Sequence, residues 1–162
     1  MRTLSNINRA TPQMRHFAKL LITHGAGKNR TSGTHPVAFV ICAQLRPHLT
    51  NMMGQGGFRA VLSRALALAT AEVPWLRAVR VNEDGGLEGG EEIQKQLDPD
   101  EFLEGRVVLV AQLLGLLVAF IGEGLTLRLV RDIWPKVPLK DLDFDNEGKY
   151  EDSKKHAQTH PA

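Results

Sequence analysis

Glu123 is the acid whose neighbours in the sequence most suggest chemistry. It stands between Gly122 and Gly124, directly after an uncharged apolar run. If one helix continued through both glycines, this carboxylate would lie on an apolar stripe, where it would need a cation or a raised pKa. The stripe would comprise Leu109, Leu113, Leu116, Phe120, Leu127, Val130 and Trp134. Glu123 could then be a catalytic acid or base, with Arg59 and Arg64 as candidate partners. We favour a structural ion pair, or a bend that turns Glu123 toward water.

Basic residues dominate the first half of the chain and acids the second. Residues 1–80 contain eleven Lys or Arg against the single acid Glu72, for a net charge of +10, whereas residues 81–162 carry −8. Such a basic half could bind the phosphates of a nucleic acid. We favour the alternative, in which these cations face the acidic half or a partner protein. The candidate nucleic-acid or anion contacts are Arg15, Lys19, Lys28, Arg30, Arg46, Arg59 and Arg64.

No motif for metal binding, nucleotide binding or nucleophilic catalysis is found in the sequence. The six histidines form no metal signature. Gly27-Lys28 resembles the end of a phosphate-binding loop, but Ile22 stands where that motif needs glycine and Asn29 where it needs Ser or Thr. Cys42 lies among apolar residues, which predicts an inert buried thiol. We therefore predict no metal and no cofactor, and we favour a non-enzymatic protein while leaving catalysis open.

The uncharged run Val107 to Ile121 is the most apolar part of the chain and should form its centre. Fifteen helical residues span about 22 Å, which is less than the roughly 30 Å of a hydrocarbon core. Arg106 and Glu123 bound the run, and each charge near a bilayer centre costs about 3 kcal/mol. We therefore predict a buried core helix, and we expect no membrane partner. The first twenty residues lack an apolar signal region, so we expect a cytoplasmic protein.

Hydrophobic periodicity and capping signals define the remaining elements. They predict helices over 11–25, 58–73 and 98–134, one or two helical turns over 91–97, a buried helix or strand over 37–45, and a turn over 48–57. A helix over 98–134 would be about 55 Å long, so we expect a break near Gly105 or at Gly122-Glu123-Gly124. A small hairpin that turns at Asp84-Gly85 is compatible with the sequence.

The fold class that we predict is mostly α: a small helical bundle around a central apolar helix, followed by a disordered C-terminal tail. Residues 1–10 would be a flexible N-terminus, 11–135 a single helical domain, and 136–162 an extended, disordered tail. The core would pack the 107–121 helix against residues 58–73 and 37–45. Trp75 and Trp134 would close its two ends.

We predict a non-enzymatic interaction or regulatory protein that acts as a small subunit or adaptor in a complex. Its partner would be another protein or a second copy of the chain. The charge division supports this prediction, as does the acidic-aromatic segment Asp141 to Asp145 (DLDFD), which could serve as a docking strand. The alternatives are a nucleic-acid-binding protein that uses the basic half and an enzyme that uses Glu123.

Overall fold

Five α-helices and one short β-hairpin form the part of the chain that the computed structural model describes, residues 9–25 and 39–138. In chain order they are α1 (Pro12–Gly25), α2 (Val40–Glu72), a 3-10 turn (Pro74–Ala78), β1 (Val79–Val81), β2 (Leu87–Gly89), α3 (Glu91–Gln96), α4 (Pro99–Ile121) and α5 (Glu123–Ile133). The prediction of a mostly α bundle around a central apolar helix is confirmed. The predicted N-terminal segment up to residue 8 and the predicted tail from residue 139 onward lie outside the described residues.

The central helix is α4, which begins at the predicted capping signal. The Asp98 side chain accepts the backbone N–H of Asp100 (3.2 Å), and Pro99 occupies the first helical position, where its missing N–H costs nothing. α4 has 23 residues, so it is about 35 Å long, and by length and composition it could cross a membrane. However, 56% of its most apolar window is buried against the rest of the protein. Its burial, rather than a short length, therefore makes it a core helix.

α1 is the second helix that packs against α4. The Thr11 side chain accepts the backbone N–H of Met14 (3.2 Å), as expected for the predicted N-cap. The apolar side of the helix enters the core through Phe17, Ala18, Leu21 and Ile22. The predicted core omitted this helix, although its periodicity was recognised.

α2 is longer than the sequence predicts. The predicted end of the buried segment at residue 45 is wrong, and so is the predicted turn over 48–57, because the helix continues through Pro47 and is interrupted only at Gly54. Leu45 and Leu49, on either side of the proline, are both fully buried. Their burial offsets the lost hydrogen bond and steric strain of an internal proline, about 3 kcal/mol. Gly54 takes a φ of 80°, which glycine tolerates, and kinks the helix there.

The hairpin forms where the sequence allows one. β1 and β2 pair antiparallel, with Val79 opposite Gly89 and Val81 opposite Leu87. Residues 82–86 make the hairpin loop, in which Asn82 Oδ1 accepts the backbone N–H groups of Asp84 (3.0 Å) and Gly86 (2.8 Å). The predicted hairpin is confirmed, but its turn is centred on Glu83 and Asp84, because the Gly85 N–H donates to the Asn82 carbonyl (3.1 Å). The loop lies against α2 at the kink, where Gln55 Nε2 donates to the Glu83 carbonyl (3.4 Å).

The predicted break in the last long helix falls at Gly122, between α4 and α5. This glycine has a φ of 90° and a ψ of 159°. The other candidate, Gly105, lies inside continuous helix, and its missing side chain makes room for the Trp75 ring. Trp134 is buried at the end of α5, and its Nε1 donates to Gln44 Oε1 (2.6 Å).

Candidate functional site

Glu123 occupies the first turn of α5 rather than the middle of a continuous helix. The break at Gly122 interrupts the predicted apolar stripe, so the stripe through Glu123 is wrong and the predicted bend is present. Glu123 is half-buried at this position. Of its two suggested cationic partners on α2, Arg64 is exposed and Arg59 is half-buried. The catalytic role of Glu123 stays a prediction.

The carboxylate that does lie within the core is Glu72, at the end of α2. Its side chain is only 6% exposed. Oε1 accepts from Arg15 Nη2 on α1 (2.8 Å), and Oε2 accepts from Gln112 Nε2 on α4 (2.8 Å) and from the Ala10 backbone N–H (3.1 Å). Sequence reasoning missed this cluster, although a signal existed: Glu72 is the single acid among the first eighty residues.

This Glu72 cluster is a structural connection between three helices. Both carboxylate oxygens are occupied by donors, so the buried charge is paired and hydrogen-bonded, as burial requires. Arg15 also approaches Glu104 at 3.9 Å. Arg15, one of the predicted anion-binding residues, therefore belongs to this cluster. The cluster joins α1 to both α2 and α4.

The remaining candidate cations are dispersed over several elements. Lys19 on α1 and Arg64 on α2 are exposed, whereas Arg46 and Arg59 on α2 are half-buried. Lys28 and Arg30 lie outside the described residues. The ion pair of Arg15 with Glu72 shows that part of the basic half is neutralised within the fold. The exposed Lys19 and Arg64 show that another part faces solvent.

Two of the three large apolar side chains that are exposed in the described part of the chain lie where α4 meets α5. Phe120 is 63% exposed and Leu125 is 44% exposed, and we call these two side chains the apolar corner. Leu117 is the last fully buried residue of α4; in the final turn Phe120 faces solvent, whereas Ile121 is partly buried against the core. A continuous helix would place Phe120 on an apolar stripe, but Phe120 faces solvent, because periodicity cannot show where a neighbouring helix ends.

A cavity lies between the first part of α2 and the hairpin loop. This cavity of about 330 Å³, which we call the α2 groove, is lined by Phe39, Val40, Cys42, Ala43, Gln44, Arg46, Asn82, Asp84, Gly85, Gly86 and Leu87. Burial raises the pKa of the Cys42 thiol to about 12. The thiol is therefore protonated at neutral pH, and the prediction that Cys42 is buried is confirmed.

Metal ligands do not cluster in the parts of the chain from 9 to 25 and from 39 to 138. No group of three or more His, Cys, Asp or Glu side chains there could hold an ion. In comparisons with known proteins, no family model, no curated protein and no solved structure matches this chain.

Proposed function

We propose that this protein is a small non-enzymatic subunit or adaptor that binds a partner protein through the apolar corner. The observation that carries the proposal is the 63% exposure of Phe120, at the end of the apolar and largely buried part of α4. Aromatic side chains are enriched in protein interfaces, where they supply large contact areas. An exposed aromatic residue that is five residues from a second exposed apolar residue is therefore a candidate contact point.

The backbone at the corner is held in one shape by hydrogen bonds. The Gly122 N–H donates to the Val118 carbonyl (3.0 Å), and the Gly122 carbonyl accepts from both the N–H (3.1 Å) and the hydroxyl (2.7 Å) of Thr126. Thr126 itself is fully buried. A preformed corner loses little conformational entropy when it binds, which favours its use as a docking surface.

The charges beside the corner define the chemistry of the partner. Arg128 and Asp132 are both exposed on α5, three and seven residues after Leu125, and therefore lie on the same side of the helix as Leu125. The partner that fits is a protein with an apolar cleft for Phe120 and, at the edge of that cleft, a carboxylate that faces Arg128 and a cation that faces Asp132. Electrostatic complementarity of this kind orients a complex and speeds its formation.

Burial of the two exposed side chains gives the expected strength of the contact. Fully burying one large apolar side chain contributes about 1.5–3 kcal/mol. Because Phe120 and Leu125 are partly buried already, we expect roughly 2 kcal/mol from the pair, or about thirtyfold in affinity.

The experiment is a comparison of co-purified proteins from the cells that naturally make this chain. We expect at least one protein to be lost with the double variant Phe120→Ser, Leu125→Ser and retained with the matched control Phe120→Leu, Leu125→Met. That protein should form a complex of defined stoichiometry when it is mixed with the purified chain. The proposal fails if no protein distinguishes the two variants, or if light scattering shows that the corner forms a homodimer instead.

A further inference from the structure

The two charged side chains that line the α2 groove have opposite signs and come from different elements. Arg46 belongs to the α2 wall of the cavity, and Asp84 belongs to the hairpin-loop wall. Within residues 9–25 and 39–138, neither the Arg46 guanidinium nor the Asp84 carboxylate forms an ion pair, either with the other or with a third side chain. The described part of the groove therefore presents one unpaired cation and one unpaired anion to the same space.

The two amide side chains that line the groove have different roles. Asn82 holds the hairpin loop, since its Oδ1 accepts two backbone N–H groups and its side chain also hydrogen-bonds the Glu88 carboxyl. Gln44 Oε1 accepts the Trp134 indole N–H (2.6 Å), and because an indole can only donate, this bond fixes which end of the amide is the oxygen. The NH₂ group of Gln44 is therefore a donor on the α2 wall, whereas Asn82 shapes the cavity.

Apolar side chains form the floor of the groove. Phe39, Val40 and Leu87 line the cavity, and all three are buried. The Cys42 thiol also lies there and adds no charge, because burial keeps it protonated. A volume of about 330 Å³ is at the small end of natural ligand cavities, so the groove fits a small molecule with a compact apolar part.

We propose that the α2 groove binds a small zwitterion with an apolar body, of the chemical class of the apolar α-amino acids. The ligand carboxylate pairs with Arg46 and accepts from Gln44, the ligand ammonium pairs with Asp84, and the apolar body covers the floor. A ligand of a single charge would shield one charged group of the groove from water without giving it a partner, which is costly. This site is separate from the apolar corner, so it does not depend on the proposed partner protein.

Isothermal titration calorimetry of the full chain tests each chemical requirement separately. L-leucine should bind saturably, with one site per chain. Three related molecules each lack one feature: glycine lacks the apolar body, L-leucinol the carboxylate and isocaproate the ammonium. Each should bind at least about tenfold more weakly than leucine, the factor expected for one lost charge-assisted hydrogen bond or a few buried methylene groups. The proposal is overturned if L-leucine, L-methionine and L-phenylalanine all fail to bind at millimolar concentration, or if any of the three related molecules binds as tightly as leucine.

Removal of the charge on each wall locates the binding site. Arg46→Gln and Asp84→Asn should each weaken leucine binding about tenfold. The matched controls Arg64→Gln, on the same helix, and Glu83→Gln, in the same loop, alter exposed residues that do not line the groove and should leave the affinity unchanged. If either groove variant fails to fold, Ala43→Phe fills the cavity from an exposed position and should abolish binding. Binding that the groove variants retain in full, or that the controls weaken equally, would contradict the proposed site.

Discussion

At the scale of single residues, Glu72 shows how one buried acid can organise a basic half of a protein. Its carboxylate receives donors from the α1 side chain of Arg15, from Gln112 on α4 and from the Ala10 backbone. A buried charge is tolerated only when its partners replace the lost water. The chain segment before α1, α1 itself and α4 are consequently held to the end of α2 by one side chain.

Removing the Glu72 carboxylate should destabilise the fold. Glu72→Ala leaves three donors without their acceptor, and we expect the free energy of unfolding to fall by about 3 kcal/mol. Glu72→Gln retains part of the hydrogen bonding, so its free energy of unfolding should lie between those of the unmodified protein and Glu72→Ala. Urea denaturation measures both. The control is Glu104→Gln, since Glu104 is exposed and 3.9 Å from Arg15. A loss there as large as that of Glu72→Ala would contradict the role of the cluster, because an exposed pair contributes less than about 1 kcal/mol.

Burial of Cys42 predicts a specific dependence of stability on alkaline pH. The thiol has a folded-state pKa of about 12, against an ordinary value of 9.0, because burial disfavours the thiolate. Between these values the unfolded chain has lost a proton that the folded protein retains, so stability falls as pH rises. Below pH 9 this contribution is fully present. Denaturation of the protein and of Cys42→Ala between pH 8 and 11 should show a steeper decline for the unmodified protein. Parallel curves would exclude this origin.

At the scale of elements, two glycines of α4 have opposite roles although their helical surroundings look alike in sequence. Gly105 lies against the ring of Trp75, where any Cβ would overlap the indole. Gly115 has no neighbouring atom within 4 Å of the position of a Cβ. The first is required by packing between α4 and the 3-10 turn, and the second is not.

An alanine at each glycine separates packing from helix propensity. Gly105→Ala should lower the free energy of unfolding by about 2 kcal/mol, since Trp75 must move to avoid the new methyl group. Gly115→Ala should raise it by about 0.5–1 kcal/mol, because alanine favours the helix. Thermal unfolding followed by tryptophan fluorescence measures both changes. Stabilisation by Gly105→Ala would mean that Trp75 does not pack there.

The elements themselves were largely predictable from local signals in the sequence. Thr11, Asp98 and Pro74 mark helix ends because capping and proline sterics act over a few residues. The continuation of α2 through Pro47 was not predictable in this way, because it depends on burial against helices that are distant in sequence. The exposure of Phe120 was missed for the same reason, and so were the partners of Glu72.

At the scale of the whole molecule, only some cations of the basic half are paired with acids inside the fold. Arg15 is paired with Glu72 and approaches Glu104, while Arg80 pairs with Glu88 across the hairpin (2.7 Å). The hydrogen bond from Arg80 lowers the pKa of the Glu88 carboxyl. Other cations of the basic half, such as Lys19 and Arg64, face solvent.

Because the exposed cations are dispersed, we expect only weak, non-specific binding to nucleic acid. Fluorescence anisotropy with duplex DNA and single-stranded RNA should give dissociation constants no tighter than about 10⁻⁶ M at physiological salt, and weaker binding as salt rises. Binding well below that value, with a preference for one sequence, would favour the nucleic-acid alternative over the adaptor.

The central claim is that the apolar corner binds a protein partner, and the most direct measurement is the affinity of the purified partner by calorimetry. The unmodified chain and Phe120→Leu, Leu125→Met should bind similarly and with a negative heat-capacity change, as burial of apolar surface requires. Phe120→Ser, Leu125→Ser should bind about thirtyfold more weakly. Equal affinity of all three chains would contradict the claim, because it would mean that the partner binds at a surface other than the apolar corner.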